Sequence, residues 1–312
     1  MILLTGGTGF IGQALTRHLV DAGYQVRILL RPSRRTPNLP TGIQVDVAVS
    51  SLSDLNGLRA ALHGVDTIYH LAGGEGEGGK ANLQAVDIDG TRLLCEAASS
   101  ARLERFFYLS HLGADRAAGF PVLKAKGIAE EYIRRSGIPS TILRASILFG
   151  PGDHFTTGLA MLLAAAPGFL PLPSQGSTLL QPLWVDDLAT CLLWALENHE
   201  AIGQTLEIGG GEYLTLRQVA EMVMQMTRQR RLLVSWPMQI LRALTVTMES
   251  VFPSFPASIF WLDYLAVNRT CPVDSLSRSF GLMPARFATH LDYLHGEAWR
   301  TEMLRTLFVR SA

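Results

Sequence analysis

The sequence predicts an α/β fold: a doubly wound parallel sheet with a smaller, partly interleaved C-terminal lobe. Three observations lead there. Short apolar runs alternate with amphipathic stretches over the first half of the chain. The first of those runs breaks into glycines at 6, 9 and 12 before a helical pattern begins. Further short apolar runs, after residue 180, read as strands returning to the first sheet.

Taken in order, strands are expected at 2–5, 25–30, 43–47, 66–71, 105–109 and 140–144. Helices fall between them, near 12–22, 52–62, 80–101 and 121–136, so each strand is followed by a crossover. The pattern then loosens into a helix near 155–166, a proline-rich loop, a strand at 180–185 and a helix at 186–198. A strand at 204–208, a helix at 215–229, an apolar segment and a helical region over 286–308 complete the chain. Residues 1–150 are expected to form one domain and 151–312 the second lobe, with strands from 180–210 returning to the first.

The opening turn carries a chemical reading. Gly6 suits a tight exit from the strand that Thr5 ends, Gly9 lets backbone approach a pyrophosphate, and Gly12 lets the helix pack closely on the sheet. The backbone N–H groups of Phe10, Ile11 and Gly12 stand where the helix dipole favours phosphate oxygens. Glycine-rich turns also occur as plain structure. The order strand, turn, helix and second strand is what marks this one as a dinucleotide site.

Composition narrows the field. The 312 residues carry 27 Lys+Arg against 27 Asp+Glu, so no net field attracts nucleic acid. Cys95, Cys191 and Cys271 lie far apart without metal-ligand spacing and read as buried apolar residues of a reduced compartment. A strand that opens at Met1 leaves no room for a leader, and a cytoplasmic location is the expectation. Residues 155–185 are uncharged, and 232–266 hold only Arg242, Glu249 and Asp263, yet prolines interrupt both. Neither offers an unbroken apolar run of ~18 residues, so no membrane span is expected, while peripheral contact stays open.

Several motifs together resemble the short-chain dehydrogenase/reductase superfamily in its extended or atypical branch. TGGTGFIG at residues 5–12 matches the family's TGxxGxxG turn. His70-Leu71-Ala72-Gly73 resembles its H-x-A strand end beside the cofactor, and Val86-Asp87-Ile88-Asp89-Gly90-Thr91 its N-V-x-G-T helix. Phe149-Gly150-Pro151-Gly152-Asp153 resembles its GPGD loop, and residues Gln181 to Asp187 its P-I-H-V-D-D segment. The likeness runs from residue 1 to about 220 and is nearest to the subgroup holding the complex I accessory subunit and photosystem assembly proteins. It implies a Rossmann fold of the epimerase/dehydratase-like kind, with Leu71, Ala72 and Gly73 beside the cofactor.

The nucleotide is read from the second strand. NAD-binding relatives end that strand in a carboxylate that bonds the ribose hydroxyls. Here it ends in Leu29-Leu30-Arg31, with Arg34 and Arg35 following and no carboxylate between Gln25 and Asn38. Guanidinium groups at Arg31 and Arg35 suit a 2′-phosphate, so NADP(H) is expected ahead of NAD; a solvated basic loop is the bland alternative. Asp46 and Val47, taken as following the third strand, match the family's adenine contact or are plain turn residues.

The catalytic motif departs from the resemblance. A Tyr-x-x-x-Lys pair on one helical face lets the ammonium lower the tyrosine pKa, with a serine ending the preceding strand. Lys126 aligns with the lysine, but the tyrosine position is Val122, which has no proton to give. Ser110 stands where the serine region begins, and His111 follows it. Lys126 thus acts alone, or His111, Tyr108 or Tyr132 substitutes as the acid, or the cofactor is kept for structure or sensing; the plain role of Lys126 is to hold ribose hydroxyls. A missing general acid forfeits ~10²–10⁴ in rate.

Other residues carry weaker readings. His70 is a packed strand-end histidine or a ligand; Glu75 and Glu77 sit in a glycine-rich loop that is solvated or covers the nicotinamide. Asp186 and Asp187 suit helix capping, and His154 a surface loop or the substrate cleft. Met222, Met224 and Met226 suit core or interface. Trp236, Phe252, Phe255, Phe260 and Trp261 line an apolar pocket or dock a partner. Two functions compete: an NADP(H)-dependent oxidoreductase or related sugar- or lipid-modifying enzyme, and a nucleotide-binding accessory, assembly or redox-sensing protein whose apolar C-terminal lobe grips a partner.

Overall fold

The structure, a computed structural model, describes residues 1–33, 36–75, 81–252 and 254–308. Strand and helix alternate from the start: β1 (Ile2–Thr5), α1 (Phe10–Asp21), β2 (Val26–Leu30), β3 (Asp46–Val49), α2 (Leu55–Ala61) and β4 (Thr67–His70). A π-helical turn, Gln84–Asp89, runs into α3 (Gly90–Ser99), followed by β5 (Arg105–His111), α4 (Pro121–Arg135) and β6 (Ser140–Ala145). The second half holds β7 (Leu148–Phe149), α5 (Thr156–Ala165), β8 (Phe169–Pro173), β9 (Leu179–Leu180), β10 (Leu183–Trp184) and α6 (Val185–Glu197). Then come β11 (Thr205–Ile208), β12 (Leu214–Thr215), α7 (Leu216–Met226), β13 (Leu232–Trp236), α8 (Met238–Val251), α9 (Ile259–Tyr264), α10 (Ser275–Phe280) and α11 (Trp299–Phe308).

Seven strands form one parallel sheet in the order β11-β6-β5-β4-β1-β2-β3. The chain runs outward in both directions from β1 and β4. Their carboxyl ends therefore flank the switch point, where an α/β sheet opens a crevice. Residue alternation explains the two covered faces. Ile2 and Leu4 pack with Leu15 and Leu19 of α1 and Leu188 and Leu192 of α6. Leu3 points the other way, into Leu58, Leu94, Ala129 and Ile133 from α2, α3 and α4. Burying each such leucine contributes about 1.5–3 kcal/mol. β11 joins the sheet at the edge beyond β6, but the segment expected at 180–185 does not return to it: β9 pairs with β12 and β10 with β7.

The second lobe has its own core of Phe149, Leu163, Val219 and Phe287 among others, built from α5, α7 and the small strand pairs. Gln181 ties it to the chain's end: its side-chain amide donates to the Gly210 carbonyl (2.7 Å) and its oxygen accepts from Cys271 N–H (2.8 Å). All three cysteines are buried and unpaired. No helix among the described residues is long and apolar enough to cross a membrane.

Several boundaries differ from the sequence reading. The third strand spans 46–49 rather than 43–47, because register with β2 pairs Arg27 with Asp46 and Leu30 with Val49. The single strand at 180–185 is two short ones, separated at Gln181 and Pro182. Only Trp299–Phe308 of the 286–308 region is α-helix; two 3₁₀ turns precede it. Asp186 and Asp187 lie inside the first turn of α6 rather than capping it, and Asp187 accepts from the Ala285 N–H at 2.7 Å.

Candidate functional site

The glycine turn at the end of β1 is closed by contacts that leave no space for side chains. A Cβ on Gly12 would sit 2.2 Å from the Gly6 carbonyl oxygen, and one on Gly6, at φ +74°, would sit 2.8 Å from Ala72 N. Gly9 is different: it is exposed, and its Cβ would meet only the Gly6 oxygen, at 3.3 Å. Gly9 caps α1 without a side-chain hydrogen bond, and no acidic residue stands in the first turn. The N–H groups opening α1 thus have no side-chain cap, a donor set that fits a pyrophosphate.

Beneath the turn, a chain of hydrogen bonds fixes β4 to β1. Ala72 N–H donates to the Thr5 hydroxyl (3.3 Å), which lies 2.7 Å from His70 Nδ1. His70 Nε2 lies 2.9 Å from the Thr91 hydroxyl, which donates to the Asp87 carbonyl at 2.6 Å. Because Thr91 uses its proton on that carbonyl, Nε2 is the donor, and in the neutral ring Nδ1 then accepts from the Thr5 hydroxyl. Burial and the nearby Lys126 charge push its pKa down to about 3. His70 is thus a packed residue, and the Thr5 hydroxyl takes part in this brace.

Lys126, on the buried face of α4, enters the crevice at the level of β4 and β5. It is only 2 % exposed. Its ammonium lies 3.1 Å from Asp87 Oδ1 and 3.5 Å from Glu75 Oε2, and 5.5 Å above the Tyr108 ring. Asp87 is aimed inward from the π-helical turn, a form of helix often found at functional sites. Its second oxygen accepts from Gly74 N–H at 2.9 Å. Glu75 also reaches His111, its Oε1 lying 3.4 Å from Nε2. A Cβ on Gly73 would fall 2.2 Å from Glu75 Oε2 and 2.8 Å from Lys126 Nζ, so a side chain there would displace the ends of both.

Electrostatics follow from this enclosure. Burial opposes ionisation of Glu75, but Lys126 and His111 outweigh it and hold the carboxyl well below the usual range. For Asp87 burial prevails over the Lys126 attraction, with the Glu75 charge adding to it, and its pKa is raised. Burial disfavours the Lys126 ammonium, yet Glu75, Tyr108 and Asp87 together keep it protonated far above its ordinary value.

Not every expected residue joins this group. Ser110 points toward α4, where its hydroxyl donates at 2.7 Å to Glu130, one helical turn beyond Lys126; that carboxylate also receives Arg144 and Arg134. Ser110 is corrected to part of a buried ion network. Tyr108 is buried under Lys126, its hydroxyl without a partner, and burial raises its pKa. Tyr132 lies six residues past Lys126, roughly 240° around the helix, and faces elsewhere. Val122 is buried one turn before Lys126 and brings no polar group. Asp46 and Val47 begin β3 rather than follow it, at the end of the sheet away from the turn, and Asp46 pairs with Arg27 at 3.7 Å. Arg31 is exposed just beyond β2, on the same edge as the turn; Arg34 and Arg35, and likewise Glu77, lie outside the described residues. His154 is exposed.

Glu75 is the residue the sequence reading understates, since it is drawn into the site rather than left in a solvated loop. The second lobe supplies another wall. Phe260 and Tyr264 of α9 lie 6.1 and 6.4 Å from the His111 ring, and Trp261 packs on Phe155 at 5.4 Å. Trp236 and Phe252 instead pack on Phe169 and Phe308, so the five aromatics of this segment do not form one pocket.

Comparison with known proteins agrees with this geometry. A family pattern described as NAD(P)H-binding matches residues 6–161, and one for the NAD dependent epimerase/dehydratase family matches residues 123–209. The chain belongs to the NAD(P)H-binding family, in the atypical branch of the short-chain dehydrogenase/reductase superfamily. It is 28% identical over 273 residues to the mitochondrial NADH dehydrogenase (ubiquinone) 1 alpha subcomplex subunit 9 of Arabidopsis thaliana, covering 83% of this chain and 67% of that one. It is 31% identical over 195 residues to a ceramide reductase of Caulobacter vibrioides, covering 62% of this chain and 60% of that one. These matches thus span 60% to 67% of the relatives' own length. The epimerase Mth375 of Methanothermobacter thermautotrophicus shares the fold, with a TM-score of 0.74 at 21% identity, over 99% of this chain and 94% of that one.

Proposed function

We propose that the protein is an NADP(H)-dependent oxidoreductase that reduces a carbonyl without the usual catalytic tyrosine. The observation that carries the reading is Lys126, buried between Asp87 and Glu75 at the switch-point crevice, with His111 against the same carboxylate. A bound dinucleotide would supply the hydride. The chain's own part is to hold and orient it: Gly6 to Gly12 against the pyrophosphate, Leu71 to Gly73 beside the ring, Arg31 toward a 2′-phosphate, and Lys126 toward ribose hydroxyls. The aromatic residues of α9 suit an uncharged substrate with apolar flanks, and the reductase relative supports reduction as the reaction class. The test is to identify any co-purifying nucleotide, then follow NADPH absorbance against an aldehyde and ketone panel. Oxidation lost in Lys126→Ala, with NADPH still bound, supports the reading; a protein that binds neither NADPH nor NADH refutes it.

A second reading, a nucleotide-stabilised accessory or assembly protein, is favoured by Val122 and by the outward apolar stripe of α8. Ile240, Leu244 and Val251 are there 52%, 43% and 60% exposed, which suits a partner surface. Ligand at a hundred times its dissociation constant would add ~2.7 kcal/mol of stability without turnover. Nucleotide-dependent melting with no oxidation of any carbonyl would favour this reading.

A further inference from the structure

We propose that Glu75 is a positioning residue for His111, and that this carboxylate–imidazole pair delivers the proton that Val122 cannot. The inference rests on the carbonyl-reducing reading above. His111 ends β5 at the crevice, and its side chain is 21% exposed, so it remains reachable from solvent. Glu75 is bifunctional: Oε1 is 3.4 Å from His111 Nε2, and Oε2 is 3.5 Å from Lys126 Nζ. Lys126 thereby anchors the carboxylate, and the anchored carboxylate fixes one nitrogen of the imidazole. Phe260 and Tyr264 also pack near the ring, their centroids 6.1 and 6.4 Å from it. With Nε2 engaged, Nδ1 is turned away from the carboxylate and becomes the nitrogen available to a substrate oxygen.

The remaining candidates fall away on geometry. Ser110 is committed to Glu130, one turn along α4 from Lys126, in the ion network with Arg134 and Arg144. Tyr108 and Tyr264 keep their hydroxyls buried without hydrogen-bond partners. Lys126 faces two carboxylates, which bind its protons tightly. Among the described residues, the charged and titratable groups around His111 are Glu75 and, behind it, Lys126 and Asp87, with Tyr264 of α9.

The substrate carbonyl carbon receives a hydride, with its two electrons, from the reduced nicotinamide dinucleotide as co-reactant. The C=O π pair moves onto oxygen. The Nδ1–H bond of the His111 imidazolium breaks, its proton bonds to that oxygen, and the bonding pair stays on Nδ1. The product is an alcohol, and neutral His111 keeps its other proton on Nε2 toward Glu75 until water restores the first.

One test needs no nucleotide. In protein labelled with ¹⁵N-histidine, the ring signals of His111 are identified by their loss in His111→Gln. They should move in Glu75→Gln and stay unchanged in Glu131→Gln, on the outer face of α4. With NADPH and a carbonyl found by the panel, Glu75→Gln should lower kcat ~10–100-fold with little change in KM, and Glu75→Asp should recover part of it. His111→Gln should lose ~10²–10⁴ in kcat while binding NADPH as before. Unmoved His111 signals in Glu75→Gln, or equal kcat in wild type and His111→Gln, overturn the proposal. Should Glu75→Gln fail to fold, Glu75→Asp in the same spectra decides, since it moves the carboxylate by one methylene. A wild-type protein that never binds NADPH defeats the functional reading instead, and the ring signals still decide the Glu75–His111 link.

Discussion

Lys126 Nζ lies 3.1 Å from Asp87 Oδ1, and the two side chains are almost wholly cut off from water. The pair joins three segments: α4 carries the lysine, the π-helical turn carries the aspartate, and the aspartate's second oxygen holds Gly74 of the loop after β4. Desolvating two ions offsets most of their attraction, so such a pair is weak evidence for stability. Removing one partner alone is another matter, because an uncompensated charge is left buried.

Lys126→Met should therefore lower stability by about 3–5 kcal/mol. The double variant Lys126→Met/Asp87→Asn should lose less than the sum of the two single changes, since the amide still accepts from Gly74 and no longer needs a cation. Urea unfolding of the four proteins measures this coupling. Strict additivity would mean that the pair does not interact as its geometry requires.

The glycine turn separates folding from binding. Gly12→Ala forces a Cβ to within 2.2 Å of the Gly6 oxygen, so the turn must open; a loss of ~1–3 kcal/mol in stability is expected. Gly9 has ordinary backbone angles, φ −79° and ψ 170°, and a Cβ there would meet only the Gly6 oxygen, at 3.3 Å. Gly9→Ala should leave the melting temperature within a degree or two of wild type while weakening NADPH binding at least about tenfold. Thermal melts with and without NADPH check both. A Gly9→Ala protein that binds as wild type would show that phosphates do not pass this backbone.

The same contrast explains what the sequence made legible. The turn was readable because Gly6 and Gly12 are sterically compelled, and steric necessity leaves a local signature at fixed spacing. The core strands were readable because Leu3 and Leu4 serve opposite, equally apolar faces. β3 was misplaced because it is an edge strand with Asp46, Val47 and Val49 exposed, so no burial pattern marks its ends. Glu75 was hidden for another reason. Its role is set by a lysine on α4 and a histidine ending β5, and nothing in its glycine-rich neighbourhood carries that information. Asp87 stood inside a recognised motif, yet its aim depends on the extra residue of a π turn, which sequence periodicity does not reveal. The aromatic wall of α9 was named residue by residue, but only the fold divides Phe260 from Trp236.

His70 predicts an acid limb in stability. Its folded pKa is about 3 against an ordinary 6.5, so between those values the unfolded chain holds a proton that the native one refuses. Stability then rises with pH across that window and is lost as pH falls through it, by up to ~1.4 kcal/mol per unit. His70→Gln, which can still accept from Thr5 and donate to Thr91, should flatten this limb while lowering stability at pH 7. Urea midpoints measured from pH 7 to pH 4 for both proteins provide the check; parallel curves would remove His70 as the cause.

Arg31 predicts the nucleotide preference. It is exposed, directly follows Leu30 at the end of β2, and lies on the edge of the sheet where the glycine turn opens. A charge-assisted contact to a 2′-phosphate contributes about 1.5–3 kcal/mol, so Arg31→Glu should weaken NADPH roughly 10–150-fold. NADH has no phosphate there, and its affinity should hardly change or should improve through the new carboxylate's bonds to the ribose hydroxyls. Exposure adds a second signature: raising salt from 0.05 to 0.5 M should weaken NADPH binding in the wild type more than in the variant, because screening acts on the phosphate contact. Fluorescence titrations of both nucleotides at two salt concentrations test this directly. A wild-type protein that binds NADH as tightly as NADPH would remove Arg31 as the selecting residue and leave the glycine turn's role untouched.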